Sequence, residues 1–308
     1  MAVEKTTGLG QLTLAQRTFW WNVSRRWSYY IELTKPRILI MILVTLVISM
    51  IAVGESLDAW VTFHACLGTG LVAASASVLN QWVERERDRI MQRTSRRPLP
   101  TGRVAASEAA WMGWLLAVVG LAHLYLLVNT ATMVCGFLTW FVYVWVYTPL
   151  KMTSWTNTLV GTIPGALPVW MGWTAAGGSL ADWRAWVLLG IMIAWQLPHF
   201  MAIAWMYREQ YAAAGYKMIT VTDPSGCGAW WHAILGAVAL LPLSVLAILP
   251  TDWVSILLCA SGLSLGAWMT LAAWRFGLDR STARSMLRIS LLYLPLIMLS
   301  ILVNHLVH

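Results

Sequence analysis

The sequence predicts an all-α, polytopic membrane protein. Of its 308 residues, 59% are apolar or aromatic and only 11% are charged, where a soluble domain carries about 25% charged residues. The mean hydropathy is +0.65. The apolar residues run continuously instead of alternating, which favours helices over the strands of a membrane barrel. Such a chain has too little polar surface for a water-soluble globule, and it is too apolar for disorder.

A helix needs roughly 20 residues to cross the hydrocarbon core. Uncharged runs of that order follow one another along the chain. The first extends from Ile38 to Gly54 and the second from Ala59 to Val83. Ala109 to Leu150 is long enough for two helices with a turn near Asn129. Met152 to Ala181 holds a fifth, broken by Gly161, Pro164 and Pro168. Ala185 to Tyr207 is the sixth, and Pro224 to Thr251, Trp253 to Trp274 and Ile289 to His308 give three more. The expectation is therefore about nine helices over 37–308, preceded by an N-terminal interfacial segment, 1–36.

The basic residues set the orientation. With the N-terminus in the cytoplasm, 20 of the 21 Lys and Arg residues fall on the cytoplasmic side and only Arg184 lies outside. Positive-inside asymmetry of this kind predicts N-in, C-out topology. It also accounts for the net charge of +8 without a nucleic-acid partner. The stretch from Phe19 to Lys35 mixes Trp20, Trp21, Trp27, Tyr29 and Tyr30 with Arg25 and Arg26, and is expected to lie in the membrane surface. The N-terminus has Glu4 and Lys5 and no early apolar core, so no cleaved signal peptide is expected. Tryptophans near span ends, such as Trp60, Trp82, Trp183, Trp186, Trp253 and Trp274, read as an interfacial belt. Cys66, Cys135, Cys227 and Cys259 lack metal-site spacing and read as small packing residues.

Three polar stretches could carry chemistry. In Asn80–Arg103, Asn80, Glu84 and Asp88 are spaced i, i+4, i+8 and so share one helix face. Two carboxylates and an amide oxygen suit Mg²⁺, which takes hard oxygen ligands and shares its shell with substrate phosphates. Arg85, Arg87, Arg93, Arg96 and Arg97 surround them, and the guanidinium fork matches phosphate oxygens. The stretch therefore reads either as a diphosphate–Mg²⁺ site or as a solvated loop that enforces topology. Gln196 and His199 lie within the sixth span, with Arg208, Glu209, Tyr211 and Lys217 beyond it. Tyr147 to Asn157 contributes Lys151. All three stretches fall on the same expected face of the membrane.

Together they resemble the UbiA superfamily of intramembrane prenyltransferases, and within it the branch that farnesylates heme. The likeness rests on Asn80, Glu84 and Asp88, then on Arg93, Thr94, Arg97, Pro98, Leu99, Pro100, Gly102 and Arg103. It continues in the YTPLK run from Tyr147 to Lys151 and in Asn157, Thr158, Gly161, Pro164, Gly165, Ala166, Leu167 and Pro168. Trp195, Gln196, Pro198, His199 and Phe200 match a further motif, as do Arg208, Glu209, Tyr211 and Gly215, and Thr34 to Ile38. Two positions depart from the pattern: Glu84 stands where Asp is usual, and Gln210 replaces an Asp.

The resemblance implies a UbiA-type bundle in the cytoplasmic (inner) membrane that joins farnesyl diphosphate to a vinyl group of heme B, releasing diphosphate and giving heme O. It implies Mg²⁺ on Asn80, Glu84 and Asp88, with these residues and Lys151, Arg208 and Tyr211 in catalysis. It implies substrate contacts from Arg93, Arg97, Tyr147, Asn157, Gln196, His199 and Lys217, with His199 meeting the heme. A heme A synthase or an oxidase assembly factor would be a protein partner. A prenyltransferase for quinone or chlorophyll precursors, a transporter with helices broken at Gly161, Pro164 and Pro168, and a passive subunit of a membrane complex are the competing readings.

Overall fold

The computed structural model describes residues 26–54 and 56–307. The part of the expected surface segment before Arg26 lies outside the described residues. Its remainder forms α1, Arg26–Leu33, which meets α2, Pro36–Ile51, at 46°. Then follow α3, Ala59–Asp88, and α4, Ala106–Leu127. The next run comprises α5, Thr130–Phe141, a π-helical turn, Val142–Tyr147, and α6, Thr148–Thr153. After it come α7, Asn157–Ala166, α8, Pro168–Ala175, and α9, Trp183–Met206. Two short helices follow, α10, Arg208–Ala213, and α11, Ile219–Thr222. The chain ends with α12, Cys227–Ala247, α13, Trp253–Leu278, and α14, Ala283–Val307. There is no strand among the described residues.

Seven helical runs are long and apolar enough to cross a membrane alone, and the bent α1–α2 pair makes eight. The fifth expected span is divided between α7 and α8, 10 and 8 residues, each too short alone. Leu167 joins them with helical dihedrals, φ −56° and ψ −26°. Pro168 opens α8, where its missing N–H costs least. The second span is longer than its uncharged run: α3 continues as helix to Asp88, carrying the polar face of Asn80 into the bundle.

Packing follows small residues. A Cβ on Gly172 would lie 2.1 Å from the Leu46 carbonyl oxygen, so α8 meets the backbone of α2 directly. Ser75 donates to the Gly113 carbonyl at 2.6 Å, tying α3 to α4. Close backbone approach of this kind replaces the hydrophobic drive that lipid cannot supply. One buried cluster joins α2, α3, α4, α5 and α8, and a second joins α9, α12, α13 and α14. Trp170 of α8 packs against both. Lipid-facing tryptophans are exposed at the span ends, including Trp60, Trp183, Trp186, Trp253 and Trp274, whereas Trp82 is half-buried. All four cysteines are free. Cys135 and Cys259 are buried as packing residues, but Cys227 is exposed in the first turn of α12, so the packing role does not extend to it.

The π turn has a local cause. Pro149 has no N–H to donate one turn back, and its ring would crowd the carbonyl there. The helix widens instead: the Thr148 N–H bonds to the Tyr143 carbonyl five residues back, and its hydroxyl reaches the same oxygen at 2.8 Å. The turn brings Thr148 and Lys151 against α3, as the contacts below show.

Candidate active site

Asn80, Glu84 and Asp88 are buried, at 2%, 7% and 2% exposure. Buried carboxylates need partners, and cations from three other segments provide them. Lys151 Nζ lies 2.7 Å from Glu84 Oε1. Arg97 Nη1 donates to Asp88 Oδ2 at 2.8 Å. Lys35 Nζ reaches Asn80 Oδ1 at 3.3 Å, while Asn80 Nδ2 donates to Thr148 Oγ1 at 3.0 Å. Each carboxylate thus has one cation, and Lys35 adds a third basic side chain on Asn80 that an anion could meet. Lys35 has φ 52° and ψ 63°, the sole positive φ among the described residues other than glycine. Such strain is held only where the surroundings enforce it. Here the bend between α1 and α2 turns the lysine toward the polar face.

A second layer of aromatic and basic groups covers this face. The Lys151 ammonium sits 4.5 Å from the centre of the Tyr147 ring. A Cβ on Gly161 would come within 2.6 Å of that ring, so α7 can lie against Tyr147 only with glycine there. Arg93 donates to the Tyr211 hydroxyl at 3.1 Å and stacks on Tyr207, with its guanidinium carbon 4.9 Å from the ring centre. Its backbone N–H donates to Gln210 Oε1 at 3.2 Å. Arg87 donates to the Ala214 carbonyl at 2.9 Å and lies over Tyr216. The loop after α3 and the segment after α9 are therefore latched together above the acids. Burial, and then the Glu84 carboxylate, push the Tyr216 phenol well above its usual range, which keeps it neutral.

The donor set fits a hard divalent cation. It offers only oxygens, two carboxylates and an amide, on one helix face. Among the described residues no three His, Cys, Asp or Glu side chains gather. An ion at Glu84 and Asp88 would therefore complete its shell with water or phosphate oxygens, as Mg²⁺ commonly does.

The sequence profile of the UbiA prenyltransferase family matches residues 41–294. This chain belongs to that family. It is 45% identical over 280 residues to the protoheme IX farnesyltransferase of Rhodopirellula baltica, covering 87% of this chain and 97% of that protein. It is 40% identical over 266 residues to the human mitochondrial protoheme IX farnesyltransferase, covering 83% of this chain and 59% of that one. A structure of digeranylgeranylglyceryl phosphate synthase has the same fold, with a TM-score of 0.74 at 18% identity over 92% of this chain and 100% of that chain. A UbiA homologue from Archaeoglobus fulgidus bound to GPP and Mg²⁺ gives 0.61 at 12% identity, over 89% and 99%.

Within this UbiA chain the remaining candidate residues take other places. Asn157 is fully buried and acts as a bracket, its Nδ2 donating to the Ser154 carbonyl at 2.6 Å and to the Lys217 carbonyl at 3.0 Å. Lys217 joins this frame through its backbone, donating to the Lys151 carbonyl at 2.8 Å, and is itself exposed. Gln196 donates to the Thr162 carbonyl at 3.1 Å and braces α7 against α9. His199 Nδ1 meets Ser290 Oγ of α14 at 2.9 Å, and the ring stacks on Trp195. Arg208 lies over Trp205 and bonds to its carbonyl and to Glu209. Three residues of the site were given no role there in the sequence, Lys35, Thr148 and Tyr216, and Arg87, read there as facing phosphate, is a latch to the Ala214 carbonyl. Of these, Lys35 could have been found, because it stands immediately before the proline that starts a span.

Proposed function

We propose that this chain transfers the farnesyl group of farnesyl diphosphate to a vinyl group of heme B, giving heme O and diphosphate. One observation carries the chemistry. A buried polar helix face, with cations on each of its three members, closes one end of an otherwise apolar bundle. The 45% identity to a protoheme IX farnesyltransferase over nearly all of that protein's length favours heme as acceptor over a quinone.

Lys35, Lys151, Arg97 and Arg93 would receive the diphosphate and stabilise the charge that develops as the allylic C–O bond breaks. Groups fixed in advance, at a site closed to water, stabilise such charge more than water does. Glu84, Asp88 and the Asn80 oxygen would hold Mg²⁺, which would add positive charge at the leaving group. Tyr147 stands beside Lys151, where an aromatic face can stabilise the allylic cation. The vinyl carbon attacks that cation, and water then supplies the hydroxyl to the porphyrin side chain and releases a proton. His199, on the α14 side of α9, is the proposed contact of the heme. Arg208, Tyr211, Asn157, Gln196 and Lys217 act in this scheme by shaping the cap and its frame.

The concentration of Lys and Arg at this end supports a site on the cytoplasmic face of the inner membrane, in a scheme with 1–36 as the surface segment and 37–308 as the bundle. The product is then consumed by an enzyme or assembly factor that accepts a farnesylated heme. The test is a product assay: membranes containing the chain, supplied with heme B, farnesyl diphosphate and Mg²⁺, with extracted hemes analysed by mass spectrometry. The expected product is heme that has gained one farnesyl group and one hydroxyl group, and EDTA should suppress it. Folded protein that leaves heme unchanged but prenylates a quinone precursor would overturn the choice of acceptor.

A further inference from the structure

Lys35 reaches the polar face from an unusual backbone position. Its N–H bonds to the Glu32 carbonyl at 3.1 Å, as the residue just past a helix end does, and a left-handed residue at that place is usually glycine. A lysine there, at φ 52°, carries a steric cost that glycine avoids. Its side chain accounts for the choice, because Nζ meets Asn80 Oδ1. The contact holds only while the elbow between α1 and α2 is fixed, and two side chains outside the proposed site fix it.

The first is Gln81 of α3. It is buried, and its Nε2 donates to the Leu33 carbonyl at 2.7 Å and to the Ser77 carbonyl at 3.0 Å. Both amide hydrogens are thereby used, so Gln81 has none left for a substrate. Leu33 is the last residue of α1, and its side chain is fully buried in a cluster with Val78, Leu99, Val104 and Ala109. Asn80 and Gln81 are neighbours in the chain and divide the work. One meets the lysine side chain after the bend, and the other grips the backbone before it. The second anchor is Glu108, in the first turn of α4. It accepts from Arg26 Nη2 at 2.5 Å and from the Tyr30 hydroxyl at 3.0 Å, two groups one turn apart on α1.

We propose that Gln81 is a positioning residue for diphosphate binding, acting through Lys35, with Glu108 as a weaker anchor of the same elbow. The inference rests on the reading of Lys35 as a cation that receives the diphosphate. Gln81 touches no substrate in this scheme. It holds a strained backbone in place, so that the ammonium is on the polar face before the ligand arrives.

The test uses the full-length chain in nanodiscs, with farnesyl thiodiphosphate and Mg²⁺ as the probe of binding. Gln81→Leu should weaken binding about tenfold, the scale of one lost charge-assisted contact. Lys35→Met should weaken it by a similar factor. Adding Gln81→Leu to Lys35→Met should change binding by less than about twofold, because both act through one contact. A second readout follows the elbow without any ligand: acetylation of the Lys35 amine by an N-hydroxysuccinimide ester, quantified by peptide mass spectrometry. It should be at least about threefold faster in Gln81→Leu, as local opening becomes more populated. Glu108→Ala, at a partly exposed site, keeps the buried bond of Gln81 and should move both readouts the same way by about twofold. Effects of Gln81→Leu and Lys35→Met that add in full overturn the inference, since a loss of general stability would add. Lys35 labelling that stays unchanged in both Gln81→Leu and Glu108→Ala also overturns it. Unchanged binding in Lys35→Met, with faster labelling in Gln81→Leu, instead overturns the reading of Lys35 as a diphosphate cation, on which the inference stands.

Discussion

Helices α3 and α9 are both long spans with polar residues in the half nearest the site, and they use them differently. On α3, each of Asn80, Glu84 and Asp88 meets a cation brought from another segment: Lys35, Lys151 and Arg97. On α9, Gln196 and His199 meet uncharged neighbours, backbone carbonyls and the Ser290 hydroxyl. Polar groups inside a span are expensive in either case. The α9 groups are satisfied by partners that also join helices. The α3 groups also draw in a third basic side chain, Lys35, beyond the two that pair the acids, which a purely structural pair would not require. The identity of the partner, more than the presence of a polar residue in a span, separates the proposed reactive face from a brace.

The largest effect that could break this contrast lies in the acids. Asp88→Asn and Glu84→Gln are expected to lower prenyl transfer by at least about 100-fold, the scale of losing one preorganised charge contact. A purely structural role makes a different prediction. In that case the exchanged pair, Glu84→Lys with Lys151→Glu, would rebuild the contact and restore activity. The expected outcome is a folded, inactive double variant, and recovered turnover would reduce the face to a brace like that of α9.

Lys151→Met sharpens the same point. It leaves Glu84 buried without its partner, which costs about 3–5 kcal/mol for a buried pair, and it removes a cation beside Tyr147. Turnover is expected to fall by about 100-fold, with a lower unfolding temperature in detergent. Farnesyl diphosphate should restore less of that temperature than it does in the unaltered chain. Full thermal recovery with substrate would show that Lys151 does not meet the diphosphate.

Much of this arrangement is legible in the sequence, because it rests on periodicity and charge. The i, i+4, i+8 spacing of Asn80, Glu84 and Asp88 places them on one face, and the helix does continue through them. The apolar runs locate eight of the nine expected spans, but the fifth is divided between α7 and α8. What the sequence conceals depends on long-range geometry. Lys35 is 45 residues from Asn80 and reaches it only because a left-handed residue bends α1 against α2. Thr148 meets Asn80 through a π turn that no hydrophobic pattern signals. Tyr216 looks like a loop tyrosine, yet it is 3% exposed beneath the latch. Arg208 shows the converse: its motif suggests a place among the diphosphate ligands, but its guanidinium rests on Trp205.

A middle-sized effect probes α9. If His199 contacts the heme as proposed, His199→Ala should weaken heme binding by about tenfold in a spectral titration, the cost of one well-made contact. KM for farnesyl diphosphate should stay unchanged. An unaltered titration together with full activity would leave His199 as a brace to α14, and the contrast with α3 would then be complete.

The smallest effect concerns Gln210, where the family pattern has Asp. Its amide oxygen accepts the Arg93 backbone N–H at 3.2 Å, so the neutral side chain performs the latch. A carboxylate could accept the same bond, but it would place negative charge beside Arg93, which is proposed to receive the diphosphate. The pair would be partly exposed, where such interactions are worth about 0.2–1 kcal/mol. Gln210→Asp is therefore expected to raise KM for farnesyl diphosphate by about two- to fivefold, with kcat unchanged. The increase should shrink as ionic strength rises, because screening weakens an exposed interaction. Gln210→Ala breaks the latch without adding charge, so whatever change it causes should persist in high salt. If the two variants respond to salt alike, Gln210 matters as a hinge contact alone, and its charge neutrality has no part in diphosphate binding.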